Sequence, residues 1–270
     1  MGTASRGGLH ARRFKTPRTI TALMLRDMST TYGRSPGGYV WALLEPIGGV
    51  AMLTLVLAVG LRIRTPSLGD SFPMFYATGV LAFGMYQRVG SKIASAISST
   101  RPLLYYPGVT YMDAILARFL LNALTQTIVF GVVAAGIIII FDPRVLVDLP
   151  PIIFGLAMAA ALAFGIGSLN AFLFPLFPLW QSVWGILTFP LFMMSTIFYT
   201  YEELPPVGQQ ILWYNPLVHV IGMVRRGFYP TYEALWVSPV YVFILALVTA
   251  VVGHIMLGRY HRVILSRDYN

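Results

Sequence analysis

The run GVVAAGIIIIF, Gly131–Phe141, closes one of several apolar stretches that dominate this chain. Several approach or exceed the roughly 20 residues needed to cross a hydrocarbon core. Runs of that length read as transmembrane helices, and the chain as an all-α integral membrane protein. Composition agrees: 57% of residues are hydrophobic, 11% are charged, and the mean hydropathy is +0.71. A soluble domain is far more polar. The formal charge of +9 then belongs first to cytoplasmic loops, where Lys and Arg accumulate. No nucleic-acid-binding signature accompanies it.

Residues 1–38 form a basic cytoplasmic tail and an amphipathic helix over 17–32. Thr16 is its N-cap and Pro17 its first helical residue. Ile20, Leu23, Met24, Met28 and Tyr32 make its apolar face, and Arg18, Arg26, Asp27 and Thr30 its polar face, so the helix should lie in the inner interface. Arg6, Arg12, Arg13, Lys15 and Arg18 are not followed by a clean apolar core, which argues against a secretory signal. Six spans are predicted over 39–61, 72–97, 112–141, 150–174, 179–200 and 237–257, making residues 39–257 the transmembrane domain. The first is interrupted at Glu45-Pro46, the second has a polar inner half of Gln87, Arg88, Ser91 and Lys92, and the fourth is rich in Ala and Gly, which permits close packing. Residues 258–270 are a second basic tail. The distribution of Lys and Arg places both termini in the cytoplasm.

Residues 201–236 then fall outside, too long for a turn and too apolar for a free loop. Leu204–Pro206 and Asn215-Pro216 divide them into two short helices, about 206–214 and 217–228, that form a re-entrant periplasmic hairpin. Non-helical backbone at membrane depth survives only against protein or a water-filled cavity. On the other side, residues 98–113 are a short framed piece between Arg101-Pro102 and Asp113, suited to docking in a partner's groove.

The chemistry of an enzyme is missing. No G-x-x-x-x-G-K-[ST] occurs, so no ATP hydrolysis is expected of this chain alone. His10, His219, His254 and His261 lack metal-ligand spacing, and no metal site is expected. With no cysteine, thiolate ligands and nucleophiles are excluded. Glu202-Glu203 reads as a solvated span end. Glu45 has two readings: a pathway or proton-carrying residue, or an interfacial acid paired with a nearby Arg at a kink. Stripes at helical spacing, Gln181, Trp184, Thr188, Phe192, Ser195 and Tyr199 in the fifth span and Tyr76, Gly79, Phe83, Tyr86 and Gly90 in the second, suit sugar contacts. Interfacial anchoring and helix packing explain such rings equally well.

The stretches WALLEP (Trp41–Pro46), Phe72-Pro73, TYMDAILARFLL (Thr110–Leu121) and above all LWYNPLVHV (Leu212–Val220) resemble KpsM-type permeases of capsular polysaccharide ABC exporters. The resemblance runs from about Arg26 to the sixth span. It implies the ABC exporter permease fold and an inner-membrane homodimer. It implies two ATP-binding (KpsT-like) subunits that carry ATP and Mg, this chain binding no cofactor. It also implies a periplasmic co-polymerase-type (KpsE-like) partner, surrounding membrane lipids, and a lipid-linked acidic polysaccharide as substrate. On this resemblance Arg101, Pro102, Leu103, Tyr105, Tyr106, Pro107 and Asp113 would couple to the ATPase. Glu45, Tyr76, Phe83, Tyr86, Arg88, Lys92, Gln181, Trp184 and Thr188 would line the substrate pathway. Trp213, Asn215, Pro216, His219, Arg225 and Arg226 would form the periplasmic gate.

One departure stands out. Gly222-Met223 replace the family's usual acid after the His, and Arg225-Arg226 follow. Two readings of the arginines are open: they face an aqueous exit used by an anionic polymer, or they bind lipid headgroups or pair with Glu202, Glu203 or Glu233. Competing functions are export of O-antigen, teichoic acid or a drug, a membrane enzyme acting on lipid-linked sugars, and a proton-coupled carrier dependent on Glu45.

Overall fold

The computed structural model describes residues 15–31, 38–60, 65–104 and 109–266. Among the described residues every regular element is helical. In order they are α1 (Lys15–Thr31), α2 (Gly38–Thr54), α3 (Phe72–Ala94), α4 (Ala96–Leu104), α5 (Tyr111–Phe141), α6 (Leu149–Leu176), α7 (Pro178–Met193), α8 (Pro206–Leu212), α9 (Pro216–Arg226) and α10 (Pro239–Ser266). A π-helical turn, Leu55–Gly60, continues α2, and a 3₁₀ turn, Tyr201–Glu203, precedes α8.

Among the described residues four segments are long and apolar enough to cross a membrane: Val40–Leu57, Tyr111–Phe141, Leu149–Leu176 and Pro239–His261. The other two expected spans are present as helices of a different character. α3 has 23 residues, but Gln87, Arg88, Ser91 and Lys92 dilute its apolar content. α7 has 16 residues and stops at Met193, well short of residue 200. The second expected span also divides, because α3 ends at Ala94 and α4 begins at Ala96. The Glu45-Pro46 interruption does not occur: α2 runs through Pro46. The expected tail after residue 257 is helical to Ser266, as the last turns of α10.

α3 and α6 form the centre. α6 packs most extensively on α10 and α3, and α3 also meets α5, α2 and α9. Within a bilayer such contacts depend on close packing rather than on water exclusion. The small residues of α6 supply it. A Cβ at Gly165 would collide with the Ala246 carbonyl oxygen and Thr249 Oγ1 of α10, and one at Gly253 would come within 2.7 Å of Leu169 N. Met158, Ala159, Leu162 and Ala163 fill the space between.

The periphery is different. α7 has no buried side chain, and its Leu179, Ile186 and Phe189 are largely exposed. α2 likewise presents Trp41 and Met52 outward. α1 lies against α5, with Leu23 buried. Among the described residues α5 is the longest helix, at 31 residues. Its start is fixed by a capping box: Asp113 N–H donates to Thr110 Oγ1 (3.2 Å), and Thr110 N–H donates to Asp113 Oδ2 (2.9 Å).

Candidate functional site

Two clefts flank the C-terminal half of α3. Helical spacing puts Gln87, Ser91 and Ala94 on one side of it and Gly84, Arg88 and Ser91 on the next. The smaller cleft, about 270 Å³, is closed by Asn170 of α6 and by Gln181, Trp184 and Thr188 of α7. The larger, about 530 Å³, lies between Trp41 and Glu45 of α2, Phe83, Arg88 and Lys92 of α3, and Asn122 and Gln126 of α5. Gln87 and Ser91 line both, so the two form a continuous polar wall.

Most of the expected pathway residues therefore meet: Glu45, Phe83, Arg88 and Lys92 in one cleft, and Tyr86, Gln181, Trp184 and Thr188 in the other. Tyr76 does not join them. It is buried at the opposite end of α3, packed on Phe72 and Phe75. Glu45 Oε1 lies 3.2 Å from Arg88 Nη2, which is the paired reading of this acid. Three amides were missed by sequence reasoning: Asn122, Gln126 and Asn170. Asn122 and Gln126 continue from Arg118 at four-residue steps, a polar stripe within an apolar helix that could have been seen. Asn170 stands alone, holding Trp180 Nε1 at 3.0 Å.

The α8–α9 hairpin explains the paired arginines. After α7 ends, residues 194–199 form an irregular strap in which Thr196 takes a φ of 58°. A β-branched residue rarely occupies that region, and its strain persists only where surroundings over-determine it. Both ends of α9 supply that restraint. Asn215 caps the helix, accepting from Leu217 N–H at 3.1 Å, while its Nδ2 donates to Met194 O at 3.0 Å. Pro216 takes the first helical position, where no donor is needed. From the last turn, Arg225 donates to the carbonyls of Tyr199 (Nη1, 2.9 Å) and Ile197 (Nη2, 3.0 Å).

Arg225 is only 1% exposed. Its guanidinium sits 4.0 Å from the Phe75 ring centroid. Burial, opposed by nearby Tyr232, Tyr229 and the glutamates, pushes its pKa down to about 10, so the charge persists at neutral pH. Of the two readings of the arginines, an aqueous exit shared by both fails for Arg225, which is buried. Helical neighbours point about 100° apart, and Arg226 alone is exposed. Nor does Arg225 use the acids suggested for it. Glu202 accepts from Trp236 Nε1 (2.7 Å) and Tyr232 OH (3.1 Å), and Glu203 accepts from Thr200 N–H (3.0 Å).

His219 is fully buried among Trp213, Trp236 and Tyr241. Its Nδ1 faces Ser238 N–H at 3.1 Å and can only accept, which fixes the proton on Nε2, donated to Trp213 O at 2.8 Å. Burial lowers its pKa from the ordinary value, against the backbone bond to Trp213. The ring is a neutral fastener joining the α8–α9 turn to the start of α10. Trp213 Nε1 adds a bond to Trp236 O at 3.3 Å.

Of the expected coupling residues, Arg101, Pro102 and Leu103 lie on α4. Tyr105, Tyr106 and Pro107 fall outside the described residues. Asp113 is 4% exposed and committed to the α5 cap, so its side chain faces into the fold rather than toward a partner.

Residues 18–229 match the ABC-2 type transporter family. The chain is 28% identical to the polysialic acid transport protein KpsM of Escherichia coli over 235 residues, 87% of this chain and 90% of that protein. It is also 28% identical to the capsule polysaccharide export inner-membrane protein CtrC of Neisseria meningitidis serogroup B over 247 residues, 91% of this chain and 92% of that one. A similar match, 28% over 227 residues (81% and 83%), is found with the capsule polysaccharide export inner-membrane protein BexB of Haemophilus influenzae.

Proposed function

This chain belongs to the ABC-2 type transporter family, and we propose that it is the inner-membrane permease through which lipid-linked capsular polysaccharide leaves the cytoplasm. As a membrane subunit of that family it is a transporter component that works with a separate ATP-binding subunit. The polymer is the finer step. The names of its relatives support it, as does the continuous polar wall of Gln87 and Ser91. That wall carries the proposal: amides and hydroxyls for sugar hydroxyls, Trp184 for a sugar face, and Lys92 for an acidic group on the lipid-proximal end.

In this reading α2, α3, α5, α6, α7 and α10 are the six spans, both termini are cytoplasmic, and the permease works as a homodimer. α4 docks against the ATP-binding subunit, which holds ATP and Mg, and the α8–α9 hairpin closes the periplasmic side toward a periplasmic partner. Purification together with the products of the neighbouring genes tests it. An ATP-binding subunit that copurifies, is lost on altering Arg101–Leu103, and drives ATP-dependent movement of polymer into inverted vesicles is the expected result. A chain that purifies without any ATPase, yet acts on a lipid-linked sugar or responds to a proton gradient, overturns it.

A further inference from the structure

The residue that joins the ATPase-facing helix to the transport clefts is not on either. Arg118 lies on α5, about two turns after the N-cap Thr110, with its side chain only 13% exposed. Its Nε is 3.1 Å from Asp27 Oδ2 of α1, a carboxylate itself 17% exposed. Its Nη1 donates to Ser95 Oγ at 3.0 Å and approaches the Lys92 carbonyl at 3.2 Å. Ser95 Oγ in turn donates to that same carbonyl at 3.2 Å. One planar guanidinium therefore ties three elements: the first helix, the end of α3, and the single residue between α3 and α4.

Each tie has a consequence. Ser95 is the one residue between α3 and α4, with φ −87° and ψ 3°, so the junction of the two helices lies at a group bonded to Arg118. The Lys92 backbone belongs to a residue whose side chain lines the larger cleft. On α5 itself, the Arg118 carbonyl accepts from Asn122 Nδ2 at 2.8 Å, and Asn122 lines the same cleft. α5 meets α1, α3 and α4 along this face. The rigid fork of an arginine can hold a carboxylate and a hydroxyl–carbonyl pair at once, which a flexible point charge does not.

We propose that Arg118 is a positioning residue that transmits movement of α4 to α1 and to the cleft wall, so that ATP turnover and polymer movement stay in step. The inference rests on the exporter reading above. Coupling between sites is carried by a discrete element whose two arrangements both sites bias; here that element is the α3–α4 break held at Ser95.

The test uses the complete complex of permease and ATP-binding subunit in vesicles, measuring polymer moved per ATP hydrolysed. With Arg118→Lys the pair with Asp27 survives and the bonds at the break do not. Polymer moved per ATP should fall about tenfold while ATP hydrolysis and assembly persist, within the usual range for coupling between sites. Ser95→Ala removes one hydroxyl, leaves the ion pair, and should lower the ratio several-fold; it decides the matter if Arg118→Lys does not assemble. The exchange Asp27→Arg with Arg118→Asp separates a joint from a plain ion pair. An ion pair is rescued by it, whereas the joint is not, because the carboxylate has no donor for Ser95 Oγ or Lys92 O. An unchanged ratio in assembled Ser95→Ala and Arg118→Lys complexes, or rescue by the exchange, overturns the proposal. Failure of the unaltered complex to move polymer with ATP overturns instead the exporter reading on which it rests.

Discussion

Arg225 places its guanidinium over Phe75, 4.0 Å from the ring centroid, while donating to two carbonyls of the strap that follows α7. The contact joins α9, α3 and the end of α7 at one buried charge. Removing the side chain leaves the Ile197 and Tyr199 carbonyls without their donors. A buried polar group stranded in this way costs about 1–3 kcal/mol. Arg225→Ala should therefore lower the Tm of the purified protein clearly, and Arg225→Lys should recover only part of it, since an ammonium lacks the fork. Arg226→Gln, at an exposed position, should change stability by less than about 0.5 kcal/mol. Equal effects at the two positions would contradict this account.

His219 makes a pH prediction with a definite sign. Its pKa in the fold is lowered by burial, so the unfolded chain takes up a proton first as pH falls. Its contribution to stability is complete above the ordinary histidine value of about 6.5. It declines as pH drops from there toward the lower folded value. Thermal scans between neutral and mildly acidic pH should show Tm falling in that window, and His219→Gln should flatten the slope. A slope unaffected by the substitution would mean that another group titrates.

Glu45 is an exposed partner of Arg88 rather than an isolated intramembrane acid: 68% of its side chain remains accessible. Exposed ion pairs contribute about 0–1 kcal/mol. Glu45→Gln should reduce ATP-driven export by less than about fivefold, the equivalent of 1 kcal/mol, and collapse of the proton gradient should not imitate it. Complete loss of export with retained binding of the ATP-binding subunit would make the carboxylate itself essential to transport.

The wall shared by the two clefts offers a steric test. Ser91 is exposed to both, so Ser91→Trp adds a ring to open space rather than to the core. Export should be blocked while yield, Tm and association with the ATP-binding subunit remain near those of the unaltered protein. Gly165→Val places its bulk against the backbone of Ala246 and should fail differently, through separation of α6 from α10 and loss of folded protein.

The long apolar runs made the helices legible because length and composition alone set a membrane helix. α5 was expected over 112–141 and occupies 111–141. What stayed hidden depended on direction and on distant partners. The pair Arg225-Arg226 reads as one basic site, yet a helix turns one residue inward and the next outward, and only the fold decides which. The early end of α7 was masked by the hydrophobicity of residues 194–199, which pack as a strap instead of continuing the helix. Glu45 and Arg88 could be guessed as partners. Arg118 could not, because its acid lies on the first helix and its other partners are a hydroxyl and a carbonyl at a break that no sequence signal announced.

α5 is about 46 Å long at roughly 1.5 Å per residue, against a hydrocarbon thickness of roughly 30 Å. With its Phe141 end at the far boundary, the first three turns must stand among headgroups, and these are the turns that carry Arg118. The guanidinium and its partners would then work at the depth where bilayer thickness is felt. Hydrophobic mismatch is relieved by tilt or by local thinning, and either would press on the α3–α4 break. On the coupling proposed for Arg118, the same chain in longer-chain lipids would keep its helices and its ATP-binding partner, and lose the timing between ATP turnover and polymer movement.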